Sequence, residues 1–167
     1  YAGLATGERK ALLITENGAK IANTPAYKAE QNIQTCTADV VVNSLGSGQA
    51  KIRTAYKGLQ YENGNLDGVL DNQYDEQKKW VLDNTHIPSF DLVSFKITQR
   101  KDKIPSAFID LDLNLSKLAN VSGKRLFLTP NLLNRNSYVP EPVSKRETNV
   151  VRKIGYIDYD TIRYQLP

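Results

Sequence analysis

The sequence predicts a mainly β fold, an antiparallel β-sandwich with one amphipathic crossover helix. Three observations carry that reading. Ile109, Leu111, Leu113 and Leu115 alternate strictly with Asp110, Asp112, Asn114 and Ser116, the period of a strand with one face buried and one face wet. Short apolar runs elsewhere are separated by Asn-Gly and Gly-Ser-Gly turns, which are hairpin signals. One stretch, Leu66 to Leu82, carries apolar residues at helical spacing instead.

Taken in order, Ala11 to Thr15 and Ala19 to Ala22 flank Glu16-Asn17-Gly18 and predict a first hairpin, with Asn17 and Gly18 as the central pair at positive φ. Thr37 to Asn43 and Ala50 to Tyr56 flank Leu45-Gly46-Ser47-Gly48 and predict a second. Ile52, Thr54 and Tyr56 fall on one face of its return strand, and Lys51, Arg53 and Ala55 on the other. The two glycines of that loop could suggest a phosphate cradle. A strand follows them rather than a helix N-terminus, so the turn reading is preferred.

In the helical stretch, Leu66, Leu70, Tyr74, Val81 and Leu82 form the stripe, with acidic residues early and Lys78 and Lys79 late, as the helix dipole favours. The spacing requires Leu70, Tyr74 and Val81 to be buried and both lysines exposed. Trp80, beside the stripe, is read as packing against a sheet. Phe90 and Leu92, then across a parity slip Phe95 and Ile97, predict the strand that follows, so the helix serves as a crossover. The strand at Ala107 to Leu115 is expected to pair with Leu126-Phe127-Leu128, with a bulge or wide turn over Lys117 to Ser122. Asn131, Asn134, Asn136, Pro140 and Pro142 mark a loop, and Ile154 to Leu166 a final strand.

Composition narrows the function classes. A chain of 167 residues can bury a hydrophobic core. With one cysteine it forms no internal disulfide. No apolar run reaches membrane-spanning length. A start at Tyr1 without any methionine, and a strand running to the last residue, suggest a processed or excised piece whose parent continues beyond Pro167. The net charge of +4 is spread over doublets, Lys78-Lys79, Arg100-Lys101, Lys124-Arg125, Lys145-Arg146 and Arg152-Lys153. Scattered doublets describe solvated turns and guarded strand edges, so no nucleic-acid partner is expected.

Two constellations invite chemistry. Cys36, His86 and Asp91 have the residue types and order of a cysteine nucleophile, its imidazole base and an orienting carboxylate. However, Cys36 sits at the start of an expected strand, away from the helix N-terminus or fixed positive charge that activates thiols. Asp110, Asp112 and Asn114 reproduce the opening ligands of a calcium-binding loop, but Leu115 and Val121 stand where that loop needs glycine and glutamate. The three are read as the wet face of a strand. Asn114-Leu115-Ser116 and Asn120-Val121-Ser122 match the glycosylation acceptor pattern, which is too short to carry weight. Catalytic, cofactor-binding and metal sites are accordingly all assigned as none, and no cofactor is expected.

The blocks Thr54 to Tyr61, Glu76 to Trp80, Ile87 to Phe90, Arg125 to Asn131 and Asp160 to Pro167, in that order, resemble a bacterial module: the C-terminal domain of unknown function that follows a transglutaminase-like core in multidomain envelope proteases. The likeness spans nearly the whole chain. It implies that residues 1–26 form a hairpin leading out of the preceding core, and that residues 27–167 form a β-sandwich accessory domain with a helix near 66–83. The family's catalytic motifs lie upstream of Tyr1, and nothing catalytic carries over to Cys36 or His86. The resemblance implies a non-catalytic domain packing on and supporting a transglutaminase-like cysteine hydrolase, in a periplasmic or extracellular parent, with that upstream domain as partner. The alternative is a glycan- or protein-binding module of the bacterial envelope, suggested by the nine tyrosines.

Overall fold

Alternating side chains need a second layer to bury one face, and the chain supplies it from the crossover at one end and from residues after β6 at the other. The structure, a computed structural model, describes residues 1–134, 139, 141, 142, 144–149 and 154–167. Asn136, Pro140 and the Arg152-Lys153 doublet therefore lie outside the described residues. The elements are α1 (Gly3–Thr6), β1 (Lys10–Thr15), β2 (Gly18–Asn23), β3 (Ile33–Val42), β4 (Gly48–Lys57), α2 (Tyr74–Asn84), β5 (Phe90–Arg100), β6 (Ser106–Leu115), β7 (Ala119–Ser122), β8 (Arg125–Leu128) and β9 (Ile157–Gln165). The fold is mainly β.

Its central sheet has five strands in the order β5-β6-β4-β3-β9, beside two-stranded ribbons β1-β2 and β7-β8. Antiparallel pairing holds throughout except at β3 and β9, which run parallel, so the sheet is mixed rather than antiparallel. A tight turn forces reversal, but β9 arrives after a long connection from β8, which imposes no direction. Both β4 and β5 are antiparallel to β6 and so parallel to each other. The segment between them crosses β6, which is the expected crossover.

The helix within that crossover starts later than its sequence pattern. Gly58–Asn65 forms 3-10 turns interrupted at Asn63 and Gly64, and α2 begins only at Tyr74. Leu66 and Leu70 are buried but sit on successive tight turns, held by Val69 N–H to Leu66 O and Asn72 N–H to Val69 O. Val81 is buried on α2, and Lys78 and Lys79 are exposed. Tyr74, expected in the core, is 61% exposed, with its ring stacked on Phe95 at 4.8 Å. Leu82 is exposed as well. One stripe was read across two elements: the tight turns that carry Leu66 and Leu70 end at Asn72, and the extended backbone of Gln73 breaks the helical phase before α2 begins. At the far end, the Thr85 hydroxyl donates to Val81 O and the Asn84 amide to Trp80 O, serving carbonyls that the helix leaves open.

Two other expectations are corrected. Leu126 to Leu128 pairs with Ala119–Ser122 rather than with β6, whose two edges are already taken by β4 and β5. The first hairpin turns on Glu16 and Asn17, with Gly18 in the pair with Thr15 and the only one of the three at positive φ. By contrast, the parity slip in β5 is a register shift at Val93, between Leu92 and Ser94, and the sequence had signalled it.

The buried face carries two clusters. One joins Cys36, Ala38, Val40, Val42, Ala50, Ile52, Leu113 and Leu115 with Ala119 of β7, Ile87 and Leu132. The other joins Ala107 and Ile109 of β6 with Tyr61, Leu66 and Leu70 of the crossover. Asn32, fully buried, locks the corner where strands and crossover meet. Its amide donates to Gly155 O at 2.9 Å, its Oδ1 accepts Leu59 N–H at 2.9 Å, and its carbonyl accepts Ile157 N–H at 3.0 Å. Gly58, at φ +65, passes so close that a Cβ there would lie 2.2 Å from Gln31 O.

Candidate functional site: a cleft under the end of α2

Between the two clusters the buried face is not fully covered. A cleft of about 530 Å3 opens there, lined by inward residues of β3, β4 and β6, by the end of α2 and by Leu132, Leu133 and Asn134. Ile52, Ile109, Leu111, Val81 and Trp80 make it apolar, and Gln34, Thr54, Tyr56, Asn84, Thr85 and His86 bring polar groups. Trp80 is fixed by its indole N–H, which donates to Gly64 O at 2.6 Å. The Gln34 amide donates to Asn134 Oδ1 at 2.8 Å, and the Asn134 amide to Asp160 Oδ1 at 2.7 Å.

Cys36 and His86 both line this cleft. Asp91 does not join them. It stands between Phe90 and Leu92, whose side chains face the core, and is paired with Asn114 on the opposite, wet face of the sheet. The thiol is 1% exposed and paired across the ladder with Thr54. Burial pushes its pKa up, against a hydrogen bond with Thr54, and Asp160 on the neighbouring strand raises it further. A thiol held protonated on a strand is the reverse of an activated nucleophile.

Asp110, Asp112 and Asn114 lie along the wet face of β6, engaged across the ladder. Arg53 Nε lies 3.5 Å from Asp110 and Lys51 Nζ 3.9 Å from Asp112, which also accepts from Ser94 Oγ at 2.9 Å. Asn114 accepts from Gln49 at 3.2 Å. Among the described residues, no three His, Cys, Asp or Glu side chains cluster as a metal would require. On the same face Arg163 forks onto Asp39 at 2.6 and 3.0 Å, and Arg53 and Arg100 approach the Phe108 ring. The Gly46 loop offers no free amide cradle at three of its positions: Leu45 and Ser47 N–H donate to Asn43 Oδ1, and Gly46 N–H to Asn43 O.

No family model, curated protein or solved structure matches this chain. Its site is therefore read from its own geometry.

Sequence reasoning missed Gln34 and Tyr56 as lining residues. Burial, with smaller contributions from Cys36 and Asp158, pushes the Tyr56 hydroxyl up to about 12, so it remains a proton donor throughout the physiological range. A signal was available. Gln34, Cys36, Thr54 and Tyr56 occupy inward parity at one end of β3 and β4, where Val40, Val42, Ala50 and Ile52 continue the same rows as plain core. Polar residues on a buried row mark a place where packing alone does not set the residue type.

Proposed function

We propose that this chain is a non-catalytic accessory domain that packs on a transglutaminase-like cysteine hydrolase core, in a periplasmic or extracellular protease, and supports that core. The observation that carries the proposal is the β1-β2 hairpin. Its register places Leu12, Ile14, Ala19 and Ile21 on one face, where Leu12 is 66%, Ile14 79% and Ile21 73% exposed. A two-stranded ribbon is marginal in water by itself, and a cluster of branched apolar side chains left uncovered marks a contact surface. This is the segment assigned, by resemblance, to the exit from the core. The missing carboxylate partner and the protonated thiol agree with a support role.

Amide hydrogen exchange of residues 10–23, compared between the isolated chain and the full parent protein, tests the reading. Strong protection in the parent alone, abolished by Ile14→Ser with Ile21→Ser, is the expected result. Equal exchange in both would overturn it. A second reading, a glycan- or protein-binding module of the envelope, draws on the exposed Tyr74 ring stacked on Phe95, since flat aromatic surfaces stack on sugars and anchor interfaces. Glycan-array binding that disappears in Tyr74→Ala would favour it over the support role.

Among the described residues, no helix is long and apolar enough to cross a membrane.

A further inference from the structure

We infer that the cleft under the end of α2 is a binding site for an uncharged, amphipathic small molecule with an aromatic or alicyclic body and a carbonyl or hydroxyl head. This goes beyond the support role and does not depend on it. The volume of about 530 Å3 lies within the span of ligand pockets, roughly 300–1,000 Å3. Ile109, Leu111 and the pinned face of Trp80 suit an apolar ring.

The polar groups fix the ligand's charge class. No Asp, Glu, Lys or Arg side chain lines the cleft, and His86 is an exposed residue of its lining. An ion would therefore shed its hydration without gaining a counter-charge, a cost of several kcal/mol in apolar surroundings. Asp160, engaged by the Asn134 amide, and Asp158, engaged by the Gln60 amide, both lie outside the lining. A neutral head is accommodated directly. The Tyr56 hydroxyl, with no hydrogen-bond partner among the described residues, is a donor held protonated by burial, and Gln34 keeps its carbonyl oxygen as an acceptor after giving its amide to Asn134. A buried row that served packing alone would not need a donor and an acceptor facing one void.

The test uses Trp80, the sole tryptophan, as a reporter inside the site. Prodan, a neutral naphthalene bearing one ketone, is titrated into the chain while Trp80 emission and energy transfer to the probe are followed. Saturable one-to-one quenching of Trp80 with a blue-shifted Prodan signal is expected. Tyr56→Phe should weaken binding roughly five- to tenfold, the loss of one hydrogen bond, and Leu133→Phe, which puts a larger side chain into the lining, should weaken it at least as much. Ile14→Ser with Ile21→Ser should leave the titration unchanged, which separates this cleft from the apolar hairpin. Unsaturable binding, wild-type affinity in both Tyr56→Phe and Leu133→Phe, or tighter binding of the anionic probe anilinonaphthalene sulfonate at the same site would overturn the inference.

Discussion

Replacing Leu66 by alanine tests whether the crossover is docked on the sheet. Leu66 has no solvent exposure and packs in one cluster with Tyr61, Leu70, Ala107 and Ile109. Three buried carbons at about 0.8 kcal/mol each give about 2.4 kcal/mol of lost transfer energy. A residual void adds to this, because its neighbours come from both the rigid sheet and the crossover and cannot collapse together. The expected loss is about 3–4 kcal/mol, within the range seen for buried leucines. Tyr74→Ala, on a ring that is 61% exposed and stacked on Phe95, should cost only about 0.5–1.5 kcal/mol. Lys79→Ala, on the exposed side of α2, should stay within about 0.5 kcal/mol of wild type. Urea unfolding followed by far-UV circular dichroism and by Trp80 fluorescence measures all three, with unchanged slope as the check that only stability moved. A loss below about 1 kcal/mol for Leu66→Ala, or equal losses for Leu66→Ala and Tyr74→Ala, would refute the docked crossover.

The remaining predictions concern hydrogen bonds and titration. Asn32→Ala should cost about 2–4 kcal/mol in the same assay, since it leaves Gly155 O and Leu59 N–H without their buried partner; a loss under 1 kcal/mol would mean that water replaces the amide. The fork from Arg163 holds the Asp39 carboxyl below its usual range, so its stabilising contribution is present above the unfolded carboxyl value of about 3.9 and is lost as pH falls through the lower folded value. The stability difference between wild type and Arg163→Ala should thus close on acidification, and a carboxyl NMR titration should show Asp39 returning to the ordinary range in the variant. The Cys36 thiol, raised by burial, should react with Ellman's reagent at neutral pH at least roughly tenfold slower in the native chain than in denaturant; equal rates would show an open, activated thiol.

Much of the sheet was legible because alternation reports which face a residue occupies. The rows on β4 and β6, the parity slip at Val93 and the crossover joining β4 to β5 all follow from that one regularity. Alternation does not report which edge a strand joins. Leu126 to Leu128 could not be assigned to β7, nor β9 to a parallel place beside β3, because both depend on which edges earlier strands have already taken. Spacing misled at Tyr74, where residues of two different elements happened to continue one helical phase. For the site, the separation of Asp91 from Cys36 was implicit in the inward neighbours Phe90 and Leu92. The meeting of Cys36 with His86 was not, since it depends on where α2 ends over the sheet.

The cleft has a physical origin in how the sheet is covered. The β7-β8 ribbon and Leu132 close one end of the buried face, and the crossover turns around Leu66 close the other. Each cover is short: β7 and β8 have four residues apiece, and α2 contributes one fully buried side chain, Val81. Strands of ten residues, such as β3, β4 and β6, present longer rows than two short covers can span. The uncovered stretch falls where Cys36, Thr54 and Tyr56 lie beside Trp80 and Val81, and there the inward rows of β3 and β4 turn from aliphatic to polar while β6 keeps Ile109 and Leu111. Had the gap arisen from loose packing alone, aliphatic side chains would continue through it on all three strands and favour its collapse. The change of residue type at that point makes a wet or occupied cleft the more stable arrangement.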